Sequence, residues 1–354
     1  MDSVQVHWRN VSTTGLGLML CLGSCRSADR KSDDQMALAP SFVQTMRREA
    51  EAMRPHVTTP IGRSFLDATA DLPAIAPRTL YRSADKTTYW TDAEFDELPE
   101  DARRDLEKID GTEEFYYTTK YGTPVSYARP IDLLGAAGFE SAAGKKILDF
   151  GYGTIGQLRM IAGMGAEAVG VDVDPLLPKL YSRAEDQGWV FGRSGRTGSV
   201  RIVHGRFPAE ENAAQAVGGG YDLILSKNTL KNGYLHPSRP VDKRRLIDLG
   251  VDEETFVKTL NKILKPGGRV MIYNLCPAPS PADQPYKPWA DGTCPFPRSM
   301  WESAGFRVIA FDVQDNEAAR AMGQAMGWDQ GESAMDLEND LFAWYTLVEK
   351  PQRP

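Results

Sequence analysis

From Ile131 onward the chain is written as short apolar runs separated by amphipathic stretches, and this alternation restricts the fold more than any other feature. The runs KKILDF, AEAVGVDV, SVRIVHG, YDLILS, GRVMIYNL, FRVIAFDV and LFAWYTLVE have the length and apolar content of buried strands. Between them the spacing is helical. It is clearest from Asp252 to Leu264, where Phe256, Val257, Leu260, Ile263 and Leu264 form one apolar stripe. Asp252 can cap the start of that helix, and Lys265-Pro266-Gly267-Gly268 stops it. The expected fold class is α/β, a doubly wound, mostly parallel seven-stranded sheet with helices on both faces. The relative direction of the last two strands stays open, because a helix-like stretch around Ala318 to Met326 and a polar loop separate them.

Ahead of this domain (131–354), residues 41–130 read as an N-terminal, mainly helical cap region. Ser41 to Met53 places Phe42, Val43, Met46 and Ala50 on one side and ends before Pro55. TDAEFDELPEDARRDLEKI also reads as helix, and the aromatic segment EFYYTTKYGTPVSYARP follows it. Residues 26–40 are a polar tether. Residues 1–25 have the layout of a secretory leader: Arg9, an uncharged stretch from Val11 to Ser24, then Leu22-Gly23-Ser24-Cys25 as in a bacterial lipoprotein processing site. Two expectations stand side by side there. Either Cys25 carries a lipid anchor at the cell envelope, or the segment is an extension of a cytoplasmic protein with Met19 or Met36 as the true start.

Composition narrows the partners. Hydrophobic residues at 42% and charged residues at 25% fit a soluble globular chain. A net charge of -7 gives no overall attraction to polyanions, so nucleic acid is not expected as a partner. No apolar run approaches the ~20 residues of a membrane-spanning helix. No cysteine or histidine spacing suggests a metal site, and oligomeric state is not legible.

The segment KKILDFGYGTIGQLRMIAGMGAEAVGVDVDP carries the chemistry. A buried strand ends at Phe150, and Gly151, Gly153 and Gly156 permit a tight turn into a helix beginning near Ile155, with room for a ligand against the backbone. The next strand ends at Asp172, whose carboxylate can accept hydrogen bonds from the two hydroxyls of a ribose. Together these features describe a nucleoside pocket. Such glycine spacing also occurs in dinucleotide-binding dehydrogenases. Asp149, two residues before the first glycine, separates the readings, because a carboxylate there repels a pyrophosphate but suits the ammonium of an amino acid. Asp174 is a second acid at the strand tip, but its place before Pro175 fits a helix start better.

On these residues the domain resembles the class I S-adenosylmethionine-dependent methyltransferases, with a Rossmann-like sheet, over about two thirds of the chain. The resemblance implies that Asp149-Phe150-Gly151-Tyr152-Gly153, with Gly156 following, contacts the methionine end of S-adenosylmethionine. It implies that Asp172 holds the ribose and that Ser226-Lys227-Asn228, at the end of the fourth strand, lies beside the reacting sulfur. One departure concerns adenine: where the family often has an acid after the third strand, this chain reads His204-Gly205-Arg206-Phe207, which leaves Phe207 or backbone amides for that contact. Asn-Pro-Pro-Tyr or Asp-Pro-Pro-Tyr signatures are absent after strand four, which leaves a small-molecule acceptor as the expectation.

Methyl transfer mainly requires alignment of nucleophile, methyl and sulfur, with removal of a proton where the nucleophile needs it. Catalytic candidates come from segments overhanging the carboxyl ends of the strands: His236 as general base, with Lys227 and Tyr234 nearby in the insertion after strand four. The loop after strand five contributes Tyr286, Trp289 and Asp291. Tyr117 and Tyr121 are candidate lid residues over the cofactor. Two further functions remain as alternatives, an NAD(P)-dependent oxidoreductase and a non-catalytic nucleoside-binding envelope protein.

Overall fold

The computed structural model describes residues 41–332 and 334–352; the expected leader (1–25), the tether (26–40) and Cys25 lie outside the described residues. Helix Phe42–Met53 begins where Ser41 accepts a hydrogen bond from the Gln44 amide, and it buries Phe42, Val43, Met46, Ala50 and Met53. The stretch after it is mostly helical, with one addition that patterning missed. Arg78–Arg82 (β1) pairs antiparallel with both Tyr89–Thr91 (β2) and Glu107–Gly111 (β3) in a small separate sheet. The expected long helix from Thr91 is instead two short ones, Asp92–Glu97 and Glu100–Arg103. Leu98, restricted by the proline after it, is extended, and the end of the segment enters β3.

The principal sheet comprises Lys146–Phe150 (β4), Glu167–Asp172 (β5), Gly188–Phe191 (β6), Thr197–His204 (β7), Tyr221–Lys227 (β8), Leu264–Cys276 (β9), Arg307–Gln314 (β10) and Phe342–Glu349 (β11). Their order is β10-β11-β9-β8-β4-β5-β7-β6. Strands β4, β5, β7, β8 and β9 pair in parallel, whereas β11 runs against both β9 and β10. All seven expected strands are present, and the antiparallel edge strand β6 makes eight. This is a doubly wound, Rossmann-like α/β sheet. The chain winds outward from β4 to β7 and then returns to begin the other half at β8, so its topological switch lies between β4 and β8. Open α/β sheets bind ligands outside the carboxyl ends of the strands at such a point.

Alternation along β4 assigns its side chains to two cores. Ile147 joins a core completed by N-terminal residues such as Met46, Phe65, Tyr116 and Tyr127, and Leu148 joins the one under helix Glu253–Ile263. Asp149, two residues after Ile147, therefore lies on the face covered by the N-terminal region. A buried ion pair fixes that cover to the domain. Arg78 of β1 places Nη1 and Nη2 each 2.7 Å from the two carboxylate oxygens of Asp186, and Nη1 also donates to the Leu180 carbonyl at 2.5 Å. The Tyr116 hydroxyl and the Arg183 amide, both at 2.9 Å, complete the Asp186 carboxylate.

Candidate cofactor site

Beyond Phe150 the backbone turns through Gly151 at φ +72° and Gly153 at φ +57°, left-handed values that glycine adopts without strain. Helix Gly156–Gly163 follows. The space vacated by the missing side chains is used by the protein itself. A methyl group on Gly151 would collide with Thr229, one on Gly153 would stand 2.6 Å from the Tyr121 ring, and one on Gly156 would be 2.6 Å from Pro124. Room for a ligand against the backbone was the sequence expectation. What lies there is protein, with the half-exposed Tyr121 ring as the cover over Gly153.

Asp149 is wholly buried. Its Oδ2 accepts 2.9 Å from the Gln157 amide, and its Oδ1 has no hydrogen-bond partner of acceptable geometry. Burial pushes the carboxyl up to about 7, although the Gln157 amide and the Tyr127 hydroxyl favour the charged form. At the tip of β5, Asp172 is half-buried and closes the bend, since Oδ2 accepts from the Gly153 amide at 3.0 Å and Oδ1 from the Asp174 amide at 2.9 Å. Burial raises its carboxyl as well. Asp174 takes the helix-start role, with Oδ1 receiving the Leu176 amide at 3.0 Å. Its other oxygen pairs with Lys120 at 2.8 Å.

That ion pair anchors the turn carrying Tyr121. Thr119 in the same turn holds φ +48°, a costly value for a β-branched residue, and its hydroxyl donates to the Gly153 carbonyl at 2.9 Å. Tyr117, the other lid candidate, is instead buried in the core with its hydroxyl on the Pro73 carbonyl at 2.6 Å.

At the end of β8, Ser226 is buried and its hydroxyl accepts from the Leu230 amide at 3.3 Å. Asn228, at φ +63°, straps this end to β9 through Oδ1, which receives the Leu275 amide at 2.7 Å. Lys227 between them is buried with its amine 5.2 Å over the Tyr127 ring. Burial presses that amine down to about 7; repulsion from Lys231 adds to the effect and attraction to Asp149 opposes it. Lys231 is also buried, but its amine donates to the carbonyls of Leu275 at 2.5 Å and Trp289 at 3.1 Å, joining the segments that follow β8 and β9. Tyr234 stands over it with 5.8 Å between amine and ring centroid, and burial pushes its hydroxyl up to about 12. Between these two segments lies a cavity of about 430 Å³ lined by Arg239, Ser280, Tyr286, Lys287, Asp291 and Trp344 among others.

The structure thus gathers Asp149, Gly151, Gly153, Gly156, Asp172, Tyr121, Ser226, Lys227 and Asn228 around the carboxyl ends of three adjacent strands. Several expected site residues do not join them, Tyr117 and Tyr234 among those already placed. The His236 ring contacts the Pro295 carbonyl at 3.0 Å and the Glu253 carboxylate at 3.1 Å, a partly exposed pair at the start of helix Glu253–Ile263, away from the residues gathered above. Phe207 is enclosed in the core beneath that helix. The Tyr152 ring turns into the opposite core beside Gly170 and Tyr181. Sequence reasoning passed over Gln157 and Thr229. Gln157 had a signal, being a polar residue in the first turn of a mostly apolar helix; Thr229 had none, because its contact with Gly151 is non-local.

No family model matches the chain, and no curated protein matches it. Among solved structures, the chain is similar to phosphoethanolamine N-methyltransferase 2 of Haemonchus contortus in complex with phosphomonomethylethanolamine and S-adenosylhomocysteine. The two are 15% identical, with 70% of this chain and 63% of that one covered at a TM-score of 0.38. A (4+2)-cyclase is 12% identical over 89% of this chain and 98% of its own at a TM-score of 0.36. A Thiobacillus denitrificans S-adenosylmethionine-dependent methyltransferase with bound S-adenosylhomocysteine is 15% identical over 62% and 90% at a TM-score of 0.34. At such low likeness, the chemistry of the site has to be read from its own atoms.

Proposed function

We propose that the protein binds S-adenosylmethionine at the carboxyl ends of β4, β5 and β8 and transfers its methyl group to a small-molecule acceptor. The observation that carries this is Asp149, a buried carboxylate before the glycine bend with one oxygen unpartnered. An anion in that position opposes a pyrophosphate and is completed by an ammonium group. Asp172, although engaged by two amides, keeps lone pairs for the hydroxyls of a ribose. Sheet order supports the same choice, because the dinucleotide-binding arrangement places its sixth strand beside the fifth, whereas antiparallel β11 here separates β10 from β9.

When bound, S-adenosylmethionine supplies a methyl group already activated by the sulfonium charge. The protein's own task is alignment and exclusion of water. Asp172 and the bend fix the nucleoside, Tyr121 and Tyr127 cover it from the N-terminal side, and the cavity between the post-β8 and post-β9 segments has the size of a small-ligand pocket.

Parallel calorimetric titrations with S-adenosylhomocysteine and NADH test the proposal. S-adenosylhomocysteine is expected to bind and NADH not to. Asp172→Ala is expected to weaken S-adenosylhomocysteine by roughly 10- to 100-fold, the equivalent of one charge-assisted hydrogen bond. Binding of NADH with no response to S-adenosylhomocysteine overturns the assignment.

A further inference from the structure

We propose that the cavity between the post-β8 and post-β9 segments is the acceptor site, and that it takes a planar, largely apolar molecule carrying one anionic group. The inference rests on the functional proposal and names the class of its substrate. The first ground is position. Trp344 of β11 pairs with Asn274 of β9, one residue beyond Tyr273, which pairs with Lys227 at the end of β8. Two strand spacings put the Trp344 backbone about 10 Å from that end. This is within the length of a small molecule with one end against the indole ring.

The second ground is the walls. The Tyr286 hydroxyl accepts from the Ser238 amide at 3.4 Å, and its ring centroid lies 5.3 Å from the Arg239 guanidinium. Arg239 in turn donates to the carbonyls of Ser280, Pro281, Ala282 and Gln284 at 3.0–3.2 Å, which closes the post-β8 segment onto the post-β9 one. Elsewhere in the lining, Gly292 lays its backbone against Trp344, where an added methyl would stand 3.2 Å from Cδ1. Two aromatic rings held in one cavity suit a flat apolar body.

The third ground is charge. Asp291 is the one acid in the lining, and both its oxygens are engaged: Oδ2 accepts from the Asn232 side chain at 2.6 Å and Oδ1 from the Thr293 hydroxyl at 2.6 Å. Arg239 donates only to neutral carbonyls, and the amine of half-buried Lys287 has no hydrogen bond or ion pair among the described residues. Ser280 Oγ is buried and also lacks a partner. The lining thus keeps a surplus of positive charge beside a free hydroxyl. An anionic group on the ligand completes both.

Calorimetry on the full chain in saturating S-adenosylhomocysteine compares three probes of one shape: naphthoate, the neutral naphthamide and the cationic naphthylmethylamine. Naphthoate is expected to bind at least about tenfold tighter than either of the others. Lys287→Gln is expected to abolish that preference by weakening naphthoate alone, and Lys287→Arg to keep most of it. Neither substitution is expected to change the affinity for S-adenosylhomocysteine, which serves as the control for folding. A preference for the amine, or a naphthoate affinity that Lys287→Gln leaves unchanged, overturns the inference. So does failure of all three probes while S-adenosylhomocysteine binds, which leaves the functional proposal intact. Failure of S-adenosylhomocysteine to bind the unsubstituted protein overturns both.

Discussion

Two of the buried carboxylates on the N-terminal side of this sheet, Asp186 and Asp149, are treated oppositely. Asp186 has both oxygens filled, by a bidentate Arg78, the Tyr116 hydroxyl and the Arg183 amide; in that cluster only Arg78 Nε lacks an acceptor. Asp149 has one oxygen filled by Gln157 and one orphaned, and the cation near it stands apart. The first arrangement is complete without a ligand and ties β1 to the segment after β5. The second is complete only when something else arrives. Burial of a charge thus marks either a structural joint or a binding site, and saturation of its hydrogen bonds tells which.

The largest effect expected from this contrast is at the joint. Asp186→Asn leaves Arg78 buried without its counter-charge and is expected to lower unfolding free energy by about 3–5 kcal/mol, measured by denaturant melting. A loss below about 1 kcal/mol would place Asp186 outside the stabilising framework.

A smaller effect follows from pH at the site. Asp149 has its folded-state pKa raised to about 7 from an ordinary 3.8, so the unfolded chain binds fewer protons than the folded one in that window, and stability falls as pH rises through it. Lys227 has its folded-state pKa lowered to about 7 from 10.5, so stability rises with pH from about 7 toward 10.5. The two slopes meet in a minimum near pH 7. Since a tenfold change in proton affinity is worth about 1.4 kcal/mol, the ligand-free protein is expected to be at least about 1 kcal/mol less stable there than at the ends of the window, relative to a Lys227→Met, Asp149→Asn double variant. Parallel pH profiles for the two proteins would contradict the unpaired character of both groups.

Much of the framework was legible because a sheet covered on both faces writes its strands as apolar runs. The runs ending at Phe150 and Asp172 also located two acids and a glycine bend at one edge. What escaped follows one physical pattern. Strand β6 sends only Val190 into the core and leaves Trp189 and Phe191 exposed at 73% and 75%, so its unbroken apolar sequence hides which way it faces, and β3 is rich in charge and reads as the tail of a helix. Lys227 was expected at the site, but nothing near it in sequence announced that it is buried. The burial of Lys227 depends on Tyr127, a hundred residues away in sequence, and such a contact leaves no local signal. The place of His236 was equally illegible, because its partners, Pro295 and Glu253, are invisible to spacing.

Thermal melting of the unsubstituted protein and of Asp149→Asn at pH 7, each with and without S-adenosylhomocysteine, tests the central claim that Asp149 is an unfinished site. Asp149→Asn alone is predicted to melt at or above the temperature of the unsubstituted protein, because it removes an uncompensated buried carboxylate. It is also predicted to gain little from the ligand, whereas the unsubstituted protein is raised in proportion to ligand concentration over Kd. A variant that melts lower by itself yet is stabilised as strongly by the ligand would contradict the account.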